Sequence, residues 1–464
     1  MKWVLVISIS YLFLLIKKLN NKKLFWNIFF WGLAYWIIGT GWLIVSIYYH
    51  GNTSIYIAII IMIIMSSILS LVFIAPIFLT KFYVKEKPRL YIILFLSSSM
   101  ALLEISRFYL LGGFPWLLPG IIFMDTYLKF LIPIIGVIGS SLIIYLVCSY
   151  IAFARNRKYS LLALAAFVLV LLIPNKTYIT NSKNTSIEVG IVQPNFEPLT
   201  KFNLDTKANI TDHLIKLSNE VNSADLIIWP EAPFGFTDKH PKFKEIEGNL
   251  KEDGARVVSG LFHEDEGKIY SSLKILGSDL KPYKKVNLVP FGEYVPFESI
   301  LRGLIRFFDL PMSDMSWGEV EQDNIRFGEN TFVPLICFDI AFINNYLHKI
   351  KGSGFIVNIS NDSWFGNSYG PDQHVEIIRA RAIETNRWIA RSTSDGISTI
   401  VDNNGTIVYL LNKNTSGVIK GDLEIVRSLN FFTKYGYQSI IALILFMFIF
   451  SLVKLIYQKK QDEN

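Results

Sequence analysis

Apolar residues fall into long unbroken runs toward both ends of the chain and into short runs in its middle. The long runs cover roughly 3–16, 24–49, 55–80, 90–106, 127–153 and 159–174, with one more at 438–457. Several exceed the roughly 20 residues a helix needs to cross a bilayer core. Between 186 and 424 the texture changes. "SIEVGIVQPN" (186–195), "ADLIIWPEA" (224–232), "ARVVSGLF" (255–262), "TFVPLICFDI" (331–340) and "GFIVNISND" (354–362) are short, apolar and tipped with polar residues, the pattern of buried strands. Helical periodicity separates them at 205–221 and 373–388. An Asn-Gly between the β-branched runs of "STIVDNNGTIVYL" predicts a hairpin. Strands alternating with helices predict a layered α/β domain whose chemistry sits at strand ends.

The connecting segments set the membrane threading. "KKLNNKK" (17–23), "KFYVKEKPR" (81–89), "ARNRK" (154–158) and the tail "KKQDEN" (459–464) are basic, whereas "YHGNTS" (49–54) and "GGFPWLLPG" (112–120) are not. Basic loops stay cytoplasmic, so the chain is expected to start outside, cross seven times and end inside. The expected domains are 1–174, a membrane domain of about six transmembrane helices; 175–437, an extracytoplasmic catalytic domain; 438–457, a carboxy-terminal transmembrane helix; and 458–464, a cytoplasmic tail. The first run carries Lys2 but ends in "KKLNNKK" without a small-residue cleavage site, so it reads as an anchor rather than a signal peptide. Composition agrees, with 52% hydrophobic residues and 35 Phe. The formal charge of +7 does not point to nucleic acid, because many of the basic residues sit in short loops between apolar runs.

Two cysteines are present, Cys148 in a long apolar run and Cys337 at the end of a strand pattern. They do not form a disulfide framework or a metal cluster by spacing. Three other strand or loop ends carry Glu231, Lys285 and Glu293. Each alone reads as a surface charge, and a lone Cys as core filler. Together they supply a nucleophilic thiol, a base to deprotonate it and a cation for an oxyanion. An unpaired thiol outside the cytoplasm also invites a use.

In combination these residues resemble the carbon–nitrogen hydrolase (nitrilase) superfamily, and the whole chain resembles its membrane-embedded branch, the apolipoprotein N-acyltransferases. The motifs in order are "WGLAYWIIGTGWLIVSIYYHG" (31–51), "EISRFYLLGGFPW" (104–116), "VQPNFEPLTKF" (192–202), "WPEAP" (229–233), "YKKVNLVPFGEYVP" (283–296), "CFDI" (337–340), "NISNDSWFG" (358–366) and "GPDQHVEIIRARAIETNRW" (370–388). The resemblance implies a polytopic α-helical membrane domain plus an extracytoplasmic α/β nitrilase-like αββα sandwich. It implies Glu231 as general base, Lys285 as the oxyanion cation, Cys337 as nucleophile and Glu293 as a further carboxylate beside them. The family's spacing from Tyr283 to Leu288 selects Lys285 over Lys284. Departures are Phe202 in place of the usual Trp, and Phe338-Asp339 in place of Tyr-Glu. These bear on acyl or acceptor preference more than on reaction class.

The implied activity transfers a fatty acyl group from a membrane phospholipid, through a Cys337 thioester, to the α-amine of the diacylglyceryl-cysteine that begins a lipoprotein. The implied setting is a bacterial inner membrane, with the catalytic domain on the periplasmic side. The implied partners are the bilayer, a phospholipid acyl donor and a diacylglyceryl apolipoprotein acceptor, with the chain a monomer and with neither cofactor nor metal. Two rivals stay open, a membrane-anchored amidase and a non-catalytic lipoprotein-binding module. Three further readings concern single segments. The apolar stretch 297–318 is either a packed helix and loop or an arm that gates Cys337. His374 reads as a structural hydrogen-bonding residue. Arg107 and Glu104 either meet lipid headgroups or pair with each other at i, i+3.

Overall fold

The computed structural model describes residues 2–50, 53–84, 89–174, 185–196, 207–252, 254, 256–290, 292–295 and 314–463. The chain divides into two compact units. One comprises Met1–Gly41, Ile59–Thr177 and Asn430–Asn464, the other Trp42–Ala58 and Tyr178–Leu429.

The first unit is helical. Among the described residues four helices are long and apolar enough to cross a membrane: Ile55–Tyr83, Arg89–Ser106, Tyr127–Phe153 and Phe431–Gln461. The runs at 3–16, 24–49 and 159–174 overlap the helices Lys2–Lys18, Asn21–Thr40 and Arg157–Leu172. Helices Arg89–Ser106, Ile132–Phe153 and Phe431–Glu463 pack on one another. Small residues allow the close approach. Ser97 and Ser149 hydrogen-bond across helices at 3.0 Å, and a Cβ on Gly120 would lie 2.0 Å from the Val137 carbonyl. The Glu104–Arg107 alternative resolves as a pair, with Nη1 2.7 Å from Oε2 and both side chains buried. Tyr145 donates to the same carboxylate at 2.7 Å. Arg107 also donates to the carbonyl of Trp116 in the "GFPW" turn.

The second unit contains two six-stranded sheets. The first has the order β12-β1-β2-β3-β4-β5, with β1 Ser186–Gln193, β2 Leu226–Ile228, β3 Val257–Asp265, β4 Lys268–Ile275, β5 Tyr283–Lys284 and β12 Gly417–Glu424. The second has the order β11-β10-β9-β8-β7-β6, with β6 Ile325–Phe327, β7 Asn330–Ile336, β8 Phe355–Ser360, β9 Ile389–Thr393, β10 Ser398–Val401 and β11 Ile407–Leu411. Each sheet has a parallel core, β1-β2-β3 or β7-β8-β9, edged by antiparallel strands. The parallel strands are almost wholly buried, as their continuous apolar runs require.

The sheets meet through β1 and β9. Ser392 Oγ donates to the Val192 carbonyl at 2.9 Å. Gln193, fully buried, accepts from Ser398 and Thr393 and donates to the carbonyls of Asn412 and Thr415. A buried amide is tolerated here because both of its ends are satisfied. Helices Lys207–Asn219 and Pro241–Glu252 contribute Leu214 and Phe243 to a core with Trp229. The Asn-Gly hairpin forms as β10–β11. Asp402 Oδ1 accepts the N–H groups of Asn404 and Thr406, and Gly405 supplies the left-handed φ of +73°.

Two strand expectations shorten most at their polar ends in the structure. The run 224–232 is strand only over Leu226–Ile228, since Pro230 has no N–H for the ladder and the chain turns at Ala232, with a φ of +39°. The run 331–340 ends as a strand at Ile336 and continues as a 3-10 turn, Cys337–Ala341.

Candidate active site

Glu231 lies just beyond the carboxyl end of β2, on a turn whose next residue, Ala232, has a φ of +39°. Gly260 of β3 lies directly beneath. A Cβ there would sit 2.3 Å from the Ala232 nitrogen and 2.7 Å from Glu231 Cα, so the turn requires a glycine partner. The Glu231 side chain is buried, at 5% exposure, and anchored at both oxygens. Oε1 accepts from Lys285 Nζ at 2.9 Å and from Ser271 Oγ at 3.3 Å. Oε2 accepts the main-chain N–H of Asn361 at 2.9 Å.

Lys285 follows the short edge strand β5, and its N–H donates to the Ser271 carbonyl of β4 at 2.8 Å. Its ammonium is 1% exposed and lies between two carboxylates, Glu231 at 2.9 Å and Glu293 at 2.8 Å. Burial opposes its charge, but Glu231, Glu293 and Cys337 together hold it protonated well above the ordinary lysine range. Glu293 Oε2 accepts the Val289 N–H at 2.8 Å, closing the "VPFGE" turn. Burial pushes the Glu293 carboxyl up, opposed by the Lys285 ammonium and reinforced by the charge of Glu231.

Cys337 begins the 3-10 turn after β7 with a φ of +47°. A non-glycine residue in this region costs of order 1–3 kcal/mol and persists only where its surroundings hold it. Burial pushes the thiol up to about 12, with Glu231 raising it further and Lys285 and a hydrogen bond with Ser360 opposing. A free thiolate is therefore scarce at neutral pH, and proton removal has to accompany any attack by sulfur.

Asp339, two residues beyond the cysteine, ties the two halves of the site together. Its Oδ1 accepts from the N–H and the side-chain amide of Asn287, at 2.7 and 2.9 Å. Its Oδ2 accepts from the Tyr283 hydroxyl at 3.0 Å and the Ile336 N–H at 3.3 Å. Tyr283 and Asn287 bracket Lys285, so one carboxylate fixes the lysine segment to the cysteine turn. The neighbouring Phe338 packs edge-on against Phe342, with centroids 5.0 Å apart.

Beneath the cysteine lies a second polar cluster. Asp362 pairs with Arg391 at 2.6 Å and with His374 at 3.2 Å, and its Oδ1 accepts from Ser360 Oγ at 2.7 Å. Against the effect of burial, Arg391 and His374 hold the Asp362 carboxyl well below the usual range. Burial and Arg391 lower the His374 imidazole, which also hydrogen-bonds the Cys337 main chain. His374 is thus a buried, hydrogen-bonded member of this cluster.

The loop after Asn361 is braced by the segment Trp42–Ala58 of the same unit. Trp42 Nε1 donates to Gln373 at 3.0 Å, and its ring meets Phe365 edge-on at 4.6 Å. Ser46 donates to the Trp364 carbonyl at 2.6 Å.

The structure therefore brings Glu231, Lys285, Glu293 and Cys337 together, with Phe338 and Asp339 on the cysteine turn. Phe202 and residues 297–313 of the apolar stretch lie outside the described residues. Sequence reasoning missed Gly260, Ser271, Ser360, Asn361 and Trp42. A faint signal existed for Asn361, which ends a strand pattern at the same sheet edge as Cys337. Gly260 reads from sequence only as a strand glycine, a mark of close backbone approach. Among the described residues no group of His, Cys, Asp and Glu could hold a metal.

Residues 1–150 match the family profile described as apolipoprotein N-acyltransferase N-terminal domain, and residues 188–428 that described as carbon–nitrogen hydrolase. The apolipoprotein N-acyltransferase of Pseudomonas aeruginosa (strain LESB58) is 28% identical over 445 residues, covering 93% of this chain and 87% of the relative. That of Wigglesworthia glossinidia brevipalpis is 30% identical over 462 residues, covering 95% and 91%. Among solved structures, the CN-hydrolase superfamily protein XC1258 from Xanthomonas campestris aligns over 52% of this chain and 91% of its own, at 16% identity and a TM-score of 0.40. The chain belongs to the apolipoprotein N-acyltransferase family, a membrane acyltransferase with a carbon–nitrogen hydrolase domain.

Proposed function

We propose that the protein moves a fatty acyl group from a membrane phospholipid to the α-amine of a lipoprotein's diacylglyceryl-cysteine, by way of a thioester on Cys337. In the first half-reaction Glu231 accepts the thiol proton as sulfur attacks the ester carbonyl. Lys285 faces the oxyanion. Collapse breaks the carbon–oxygen bond, and Glu231 returns the proton to the departing lysophospholipid alkoxide.

In the second half-reaction the acceptor's neutral amine attacks the thioester carbon. An α-amine has a pKa of about 8, so a useful neutral fraction exists near pH 7. The carbon–sulfur bond breaks, the amine proton passes to Glu231 and then to sulfur, and the site is regenerated. Splitting ester-to-amide transfer into two steps is the advantage of covalent catalysis.

The observation that carries this reading is the buried Glu231–Lys285–Glu293 ion cluster beside the Cys337 thiol. Excluding water from that cluster strengthens the electrostatic interaction with an oxyanion and protects a thioester from hydrolysis. The helical unit fits the substrates. Withdrawing each acyl CH₂ from a bilayer costs about 0.8 kcal/mol, which a membrane-resident enzyme avoids. We place the α/β unit on the periplasmic side of a bacterial inner membrane, following the basic loops.

The test uses the full-length protein in vesicles of phospholipid labelled in one acyl chain, with a diacylglyceryl-cysteinyl lipopeptide added. Label in an amide on the lipopeptide is the expected result. Label appearing only as free fatty acid means a hydrolase, and no turnover of label with a folded protein means a binding module. Either result overturns the reading.

A further inference from the structure

We propose that Asn361 is the acceptor-recognition residue of the second half-reaction, its side-chain carbonyl receiving an N–H of the attacking amine. This rests on the reading of Cys337 as the acylated residue.

The argument begins with the hydrogen-bonding capacity of Glu231. A carboxylate offers about four lone-pair sites. Three are taken, by Lys285 Nζ at 2.9 Å, Ser271 Oγ at 3.3 Å and the Asn361 N–H at 2.9 Å. One remains. That suffices for the thiol proton in the first half-reaction. A primary amine attacking the thioester presents two N–H groups, and Glu231 can accept only one. The second needs another acceptor in the same buried place.

Asn361 offers it. Its main-chain N–H is on Glu231, so the residue touches the base directly. Its side chain is buried, at 5% exposure, and Oδ1 has no hydrogen-bond partner. A buried amide carbonyl without a partner is uncommon and costly, and calls for an explanation. In the polar cluster beneath the cysteine, Ser360, Arg391 and His374 are each bonded to Asp362. Among the described residues that hydrogen-bond Glu231, Asn361 is the one with a buried side-chain atom left without a partner.

In the step itself the amine lone pair forms the new carbon–nitrogen bond and the carbon–sulfur bond breaks. One N–H proton goes to Glu231 and on to the sulfur. The other N–H stays on nitrogen, held by Asn361 Oδ1, and becomes the amide N–H of the product. The phospholipid ester has no N–H, so the first half-reaction makes no use of this contact.

The experiment measures the two half-reactions separately on the full-length protein. Asn361→Ala removes the carbonyl and keeps the main-chain N–H on Glu231. Acylation of Cys337 by phospholipid vesicles, followed by intact mass, is expected to stay within about threefold of wild type. Transfer from the acyl-enzyme to the lipopeptide is expected to slow about 10- to 100-fold. An N-methyl lipopeptide, whose single N–H is consumed in the step, is expected to be a poorer acceptor for wild type. Asn361→Ala should largely lose that preference.

Equal slowing of both half-reactions, as for a scaffold role or a water-filled gap, would overturn the proposal. So would an unchanged transfer rate or an undiminished preference for the primary amine. If Asn361→Ala does not fold, Asn361→Leu, which keeps the side-chain size and also removes the carbonyl, gives the same readouts. Absence of any acyl adduct on the wild-type protein would instead count against the function on which the proposal rests.

Discussion

Removing the ammonium from between Glu231 and Glu293 should be the most damaging single change to this site. Lys285→Met keeps the length and the apolar stem but leaves two buried carboxylates that had shared one cation at 2.9 and 2.8 Å. Breaking a buried pair by removing one partner typically costs about 3–5 kcal/mol. For a unit of this size that corresponds to a fall in melting temperature on the order of 10 °C. The sign of the pH effect follows from Glu293, whose carboxyl is already raised, by burial first, and is kept from rising further by Lys285. A raised carboxyl favours the folded state at low pH, and that contribution is lost as pH climbs through its folded pKa. Without Lys285 the window moves upward, so the variant's deficit should be smaller at pH 5 than at pH 8. Adding Glu293→Gln should restore part of the stability while leaving acylation depressed by at least about 100-fold, the scale of a lost oxyanion donor. Thermal unfolding in detergent at the two pH values, with acyl-adduct formation in parallel, tests this. Unchanged melting, a deficit larger at pH 5, or no gain from the second substitution would refute the reasoning.

Other substitutions probe the supports of the site. Gly260→Ala forces a methyl against the Glu231 turn and should cost about 1–3 kcal/mol and abolish adduct formation, with circular dichroism near wild type. Asp339→Ala strands the donors of Tyr283, Asn287 and Ile336 at about 1–3 kcal/mol per unsatisfied group. Asp339→Asn should fall between alanine and wild type in both melting temperature and acylation rate. Trp42→Ala removes the Phe365 edge contact and the Gln373 bond and should slow acylation more than Trp42→Phe, which keeps a ring. Equal rates in the two Trp42 variants would show that the brace does not matter.

What could be read in the sequence divides along a physical line. Strands β1, β2, β3, β7 and β8 announce themselves because both faces are buried, which demands continuous apolar runs. Glu231 and Cys337 stand out because each breaks such a run at its polar end. β5 and β6, two and three residues long, are too short to carry a period. The supports that Gly260 and Asn361 give Glu231 are a close main-chain approach and a main-chain N–H, neither of which any side-chain pattern encodes. The stretch 42–49 looked like the tail of a membrane run because its apolar residues have the same composition. Only its tertiary partners, Phe365 and Gln373, assign Trp42 to the α/β unit. The +47° φ at Cys337 is likewise invisible, since the surrounding turn imposes it against the residue's own preference.

The account turns on whether the Cys337 sulfur carries the acyl group. Full-length protein and its Cys148→Ser and Cys337→Ala variants, incubated with phospholipid vesicles in the absence of acceptor, can be analysed by intact and peptide mass spectrometry. The account predicts one fatty acyl mass on the peptide containing Cys337 in wild type and Cys148→Ser, released by neutral hydroxylamine, and none in Cys337→Ala. An acyl group on another residue, or lipopeptide acylation that persists in Cys337→Ala, would contradict it.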